Sequence, residues 1–161
     1  MMNPNNQVLF DAGLFIGALL ADDMRHTEAR PLVEAARRGE LAVCTTTGIL
    51  SEVYAALTWI QAQPRHSPEE AANAVRLLIE PPSAIEILSE SLDATLKMLD
   101  LAKKHGLTAR RIHDARHAAI ALTAGITQIY TYDIEDWKHF SSEGLIISGP
   151  ASVLSQLILV R

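Results

Sequence analysis

Short apolar runs alternate with helix-length segments along the chain, and this alternation constrains the fold more than any other feature. "QVLFDAG" reads as a buried strand that ends at an acid, followed by the packed helix "LFIGALLA". "HTEARPLVEAARRG" predicts a helix that stops at Gly39, and "ELAVC" a second strand. The threonines of "TTTGILSEVYAALTWIQAQ" offer caps for a long helix with Ile49, Val53, Leu57 and Ile60 on one stripe. Ser67, Pro68 and Glu70 have the spacing of a capping box for a helix that Pro81-Pro82 ends. "SAIEIL" predicts a strand, "SESLDATLKMLDLAKKHG" a helix closed by Gly106, and "HDARHAAIALTAG" another helix. "ITQIYT", an acidic turn, the strand "GLIIS" and a short helix "GPASVLSQLI" complete the chain.

Strands separated by helices run parallel, because parallel neighbours need crossover connections. The expected architecture is a three-layer α/β/α domain with a central, mostly parallel sheet of about five strands. The length of 161 residues suits one domain over residues 1–161, large enough to bury a sizeable core. In such sheets ligands gather outside the carboxyl ends of the strands.

Composition narrows the chemistry. With 48% hydrophobic and 20% charged residues, the chain reads as compact and soluble. Cys44 is the sole cysteine, which excludes an intrachain disulfide and a cysteine zinc cluster and fits a reducing cytoplasm. The run "VLFDAGLFIGALLA" is too short to span a bilayer and lacks a signal peptide's charge pattern, so no membrane role is expected. A net charge of −5 argues against nucleic-acid binding over the whole surface. Lys103, Lys104, Arg110, Arg111 and Arg116, with His105, His113 and His117, nevertheless fall in one stretch that can face phosphates. The lysines also suit a helix C-terminus, where cations favour the macrodipole.

Four acids have a common meeting place. Asp11 and Asp133 each follow a strand, so parallel strands put both at one rim. Glu52 borders an apolar helical stripe, and Asp114 opens a helix on the face shared with Ala118, Ala121 and Leu122. Each has a plain structural alternative: helix caps for Asp11 and Asp114, a boundary residue for Glu52, a turn for Asp133. Their order argues for a site. Oxygen ligands suit Mg²⁺ or Mn²⁺, and such an ion lowers the pKa of bound water without a serine or cysteine nucleophile.

The series "VLFDAGLFI", "SEVYAAL", "IHDARHAAIAL" and "IYTYDIEDW" resembles the PIN domain, in particular the VapC-type toxins of toxin–antitoxin pairs, over residues 7–147. The resemblance implies a Mg²⁺- or Mn²⁺-dependent endoribonuclease. It matches the family's four acids to Asp11, Glu52, Asp114 and Asp133, and its hydroxyl position to Thr131. It makes Asp11, Asp114, Asp133 and Asp136 the metal ligands, with Asp136-Trp137 as the acid–aromatic pair. Arg111, Arg116 and His117 become candidate RNA contacts, with His113 or His117 a candidate general acid and Glu135 merely solvated. It also implies a cognate antitoxin and a homodimer. The chain departs from the pattern after Asp11, where Ala12 and Gly13 replace side-chain donors.

Two rivals remain. An aspartate-nucleophile phosphatase needs a second aspartate two residues after the first, where Gly13 stands. A PIN-like module that binds RNA or protein without catalysis would need no metal.

Overall fold

The computed structural model describes residues 6–154. Five strands form one sheet: β1 (Val8–Phe10), β2 (Val43–Thr46), β3 (Glu86–Leu88), β4 (Gln128–Tyr130) and β5 (Ile146–Ser148). All four neighbouring pairs are parallel, in the order β3-β2-β1-β4-β5. Between them run α1 (Ala12–Leu19), α2 (His26–Arg37), α3 (Thr47–Thr58), α4 (Pro68–Ile79), α5 (Leu92–His105), α6 (Ile112–Thr123) and α7 (Ile134–Trp137). The chain steps outward from β1 to β3, then returns to β4 beside β1 and continues outward to β5. Right-handed crossovers therefore place α1–α4 on one face and α5–α7 on the other. This is the expected three-layer fold.

Local signals explain most boundaries. Ser67 and Glu70 close a reciprocal capping box on α4, and the Ser91 hydroxyl caps α5. Gly106 ends α5 at φ 61°, a conformation that costs glycine little. Leu9, Leu14, Phe15, Ile49, Leu57 and Ile129 are fully buried between the layers.

Three boundaries differ from expectation. Strand β2 runs to Thr46, because Thr45 and Thr46 are buried and pair with β3. Helix α3 stops at Thr58, whose hydroxyl bonds the Tyr54 carbonyl while Trp59 turns extended. Ile60 is consequently 73% exposed and off the stripe. The acidic stretch is helical rather than a turn, since α7 and the 3₁₀ segment Lys138–Glu143 bury Trp137 and Phe140. The expected terminal helix is present over residues 151–154, and its remainder lies outside the described residues. Among the described residues no helix is long and apolar enough to cross a membrane.

The fold has one topological consequence for chemistry. Strands β1 and β4 are adjacent, yet their following connections leave in opposite directions, which opens a crevice at their carboxyl ends. Asp11 follows β1 directly, and Thr131 and Asp133 follow β4.

Candidate active site

Asp11 is both a helix cap and the centre of the crevice. Its Oδ1 accepts the Ala12 amide at 2.9 Å, satisfying a free N–H of α1. Its Oδ2 accepts the Thr131 hydroxyl at 2.7 Å and the Trp137 indole N–H at 3.1 Å. Only 7% of the residue is exposed. Donors that distribute around both oxygens fix the carboxylate in place. The donors missing at Ala12 and Gly13 are thus supplied by the other side of the crevice. Thr131 also accepts the Asp133 amide at 2.9 Å, so one buried hydroxyl ties the two strand-end acids together.

Asp114 lies in the first turn of α6 and caps nothing; the cap position is Arg111. Its carboxyl accepts no side-chain hydrogen bond among the described residues. Burial foremost, then the fields of Asp11 and Asp136, push its pKa up to about 6, with His117 opposing and Glu52 adding. Asp133 precedes α7 and presents one side to solvent. Partial burial of its carboxyl comes first in raising its pKa, ahead of Asp11 and Asp136, while Arg25 pulls it down. Asp136 stands exposed in the first turn of α7. The charges of Asp11, Asp136 and Glu52 thus reach both Asp114 and Asp133.

Glu52 sits on the exposed rim of α3, with its side chain 43% accessible, and is held from below by His117. The imidazole Nε2 lies 2.9 Å from Glu52, and Nδ1 lies 3.0 Å from the Thr46 hydroxyl. Thr46 in turn accepts the Ile49 amide and caps α3. The ring thus bridges the β2–α3 junction to the rim of α3.

One expected RNA contact is corrected by its position. His117 is 1% exposed, and both ring nitrogens are engaged inside the protein. Arg116 is forked onto Glu90, with Nε–Oε1 at 2.5 Å and Nη2–Oε2 at 2.9 Å. Arg111 and His113 are exposed on the approach to α6, and Arg111 forms no ion pair among the described residues. Lys104 and His105 reach Glu143, consistent with the helix-end role expected of this basic group. Glu135 pairs with Lys138 at the surface.

Sequence reasoning missed the inner positions of Trp137, His117 and Arg25. A tryptophan isolated in the polar run "DIEDWKHF" was a signal that this run is anchored to the core. Arg25 had none, because "ADDMRH" lies between helices and carries no periodicity.

A divalent cation fits this donor set chemically. The crevice gathers hard oxygen donors whose repulsion an added positive charge relieves. Among the described residues no three His, Cys, Asp or Glu side chains close into a ready-made cage. Magnesium binds through one or two carboxylates with several waters, which suits an open arrangement. Cys44 is fully buried, and burial foremost pushes its thiol pKa up to about 12, as in a structural rather than a reactive cysteine.

The PIN domain model matches residues 8–141. The fold is similar to VapC20 of Mycobacterium tuberculosis, described as a sarcin–ricin loop cleaving toxin. That likeness has a TM-score of 0.62 and 20% identity, covering 86% of this chain and 96% of that one. It is also similar to VapBC2 of Rickettsia felis, solved with a promoter DNA fragment, at a TM-score of 0.60 and 14% identity, covering 89% and 98%. VapBC-1 of nontypeable Haemophilus influenzae gives a TM-score of 0.59 and 16% identity, covering 89% and 97%. Comparison with curated protein sequences gives no match. With its family model spanning most of the sequence, the chain belongs to the PIN domain family.

Proposed function

We propose that this protein is a Mg²⁺- or Mn²⁺-dependent endoribonuclease and the toxin of a toxin–antitoxin pair, built as one domain. The observation that carries this reading is Asp11 held by Thr131 and Trp137 at the β1–β4 switch point, facing acids that repel one another. Asp11, Asp114 and Asp133 would hold the ion, with Asp136 as a peripheral ligand. When bound, the ion supplies a water of lowered pKa and stabilises the leaving oxygen of the phosphodiester.

The chain's own residues prepare that site. Thr131 and Trp137 aim Asp11, and the buried His117 aims Glu52 to close the rim. Asp114 must shed its proton to receive a cation, which couples metal binding to pH. Arg111, exposed before α6, would meet the RNA backbone. The toxin–antitoxin complexes among the similar structures support a cognate antitoxin as partner. We include homodimer formation and a cytoplasmic location in the same reading.

Thermal unfolding with and without Mn²⁺ tests the site before any RNA is chosen. Binding to the folded state alone adds about 2.7 kcal/mol at a hundred times the dissociation constant. The expected result is a Mn²⁺ shift in the parent that Asp114→Asn abolishes, followed by Mn²⁺-dependent RNA cleavage. No shift at millimolar Mn²⁺ would overturn the enzyme reading in favour of a PIN-like binding module.

A further inference from the structure

Arg25 stands beside the crevice, where its charge reaches Asp133. It stands in the connection between α1 and α2, and its side chain lies across the two chain segments that carry Asp11 and Asp133. A Cβ on Gly13, two residues after Asp11, would lie 3.0 Å from Arg25 Nη1. The guanidinium carbon lies 5.5 Å from the ring centroid of Tyr132, the residue before Asp133. One turn further along α1, a Cβ on Gly17 would lie 2.8 Å from the Arg25 Cβ. Gly13 and Gly17 are therefore the groove in which this arginine is seated.

Asp23 fixes the guanidinium. Nε donates to Oδ1 at 2.9 Å and Nη2 to Oδ2 at 2.8 Å, while the Arg25 amide donates to Oδ1 at 2.8 Å. This fork uses Nε and Nη2 and leaves Nη1 with no hydrogen bond among the described residues. The arginine is half-buried and held from below by the Tyr132 ring. A rigid cation with a free donor edge has the form of a phosphate-binding group. It is also the guanidinium whose field reaches Asp133.

Resting on the ribonuclease reading, we propose that Arg25 is a positioning residue for substrate, whose free Nη1 edge binds an RNA backbone phosphate beside Asp11 and Asp133. An acid-lined crevice repels RNA, and Arg25 supplies attraction at the place where the strand must enter. The proposal also accounts for Gly13: a larger side chain there would displace the guanidinium.

The test measures equilibrium binding of a fluorescent random-sequence single-stranded RNA, with Ca²⁺ in place of Mn²⁺, across a salt series. Mn²⁺-induced thermal stabilisation and cleavage of ribosomal RNA are followed on the same proteins. Arg25→Met is expected to weaken RNA binding roughly tenfold, to flatten the salt dependence by about 0.7 in log–log slope, and to keep the Mn²⁺ shift. Arg25→Lys is expected to recover the slope but only part of the affinity. Gly13→Ala tests the same contact in a helix that alanine favours, and so does not depend on Arg25→Met folding. It is expected to weaken binding in the same direction. An unchanged slope and affinity in Arg25→Met, or in Gly13→Ala should Arg25→Met fail to fold, would overturn the role of Arg25. A parent that neither binds nor cleaves RNA would instead overturn the ribonuclease reading itself.

Discussion

The Thr131 hydroxyl donates to Asp11 Oδ2 at 2.7 Å, joining residues 120 positions apart, and accepts the Asp133 amide at 2.9 Å. Thr131 is wholly buried, so neither bond can be replaced by bulk water. Thr131→Val keeps the shape and removes both. We expect a loss of about 1.5–3 kcal/mol in stability, the range for a hydrogen bond to a charged group. Mn²⁺ affinity, read from thermal shifts, should fall roughly 10–100-fold, as when a partner that orients a ligand is lost. Thr131→Ser should restore most of both.

Asp114 gives the opposite sign. Its folded pKa, pushed up to about 6, lies above the ordinary 3.8. The folded state therefore holds this proton more tightly than the unfolded state. The resulting stability is present in full below pH 3.8 and is lost as pH rises through about 6. That rise corresponds to roughly 3 kcal/mol, and the open side of the crevice should reduce this to about 1–2 kcal/mol. Asp114→Asn should therefore be the more stable protein in chelator at pH 7.5, by a few degrees in Tm, with the gain vanishing near pH 4. Millimolar Mn²⁺ should reverse the order. A mutant less stable in chelator at both pH values would contradict this electrostatic account.

His117→Phe separates packing from polarity beneath Glu52. The ring volume is kept, but Thr46 loses its side-chain partner and Glu52 its anchor. We expect about 1–3 kcal/mol of destabilisation in urea titrations, because the Thr46 hydroxyl is buried. RNA cleavage should drop while the Mn²⁺ shift persists, since Glu52 rather than the Asp set loses its aim. Equal loss of both would make His117 part of the metal site.

What the sequence revealed, and what it hid, follows the range of the forces involved. Strands, caps and the strand-end positions of Asp11 and Asp133 are local, written in apolar runs and in residues such as Ser67, Glu70 and Gly106. The partners of those acids are not local. Trp137 reaches Asp11 across 126 positions and His117 reaches Glu52 across 65. Helical periodicity marks which face of α6 is buried, yet cannot say that a buried histidine faces a carboxylate on α3. Arg116 shows the same limit: it was legible as a cation, whereas its fork onto Glu90, 26 positions away, was not.

Backbone strain supplies the last prediction. Ala109 has φ 51°, the sole positive φ at a non-glycine position among the described residues. It opens the 3₁₀ turn Ala109–Arg111 that carries exposed Arg110 and Arg111 into α6 and so towards Asp114. A left-handed alanine costs about 1–2 kcal/mol. Glycine relieves that strain but adds about 0.4–1 kcal/mol of unfolded-state entropy. Ala109→Gly should therefore raise stability by roughly 0.5–1 kcal/mol in urea titrations. If the strain serves to aim Arg111, the same variant should bind RNA more weakly despite being more stable. A variant that gains stability with unchanged RNA affinity would show that the turn is strained for packing alone, and would leave Arg111 without a preset direction.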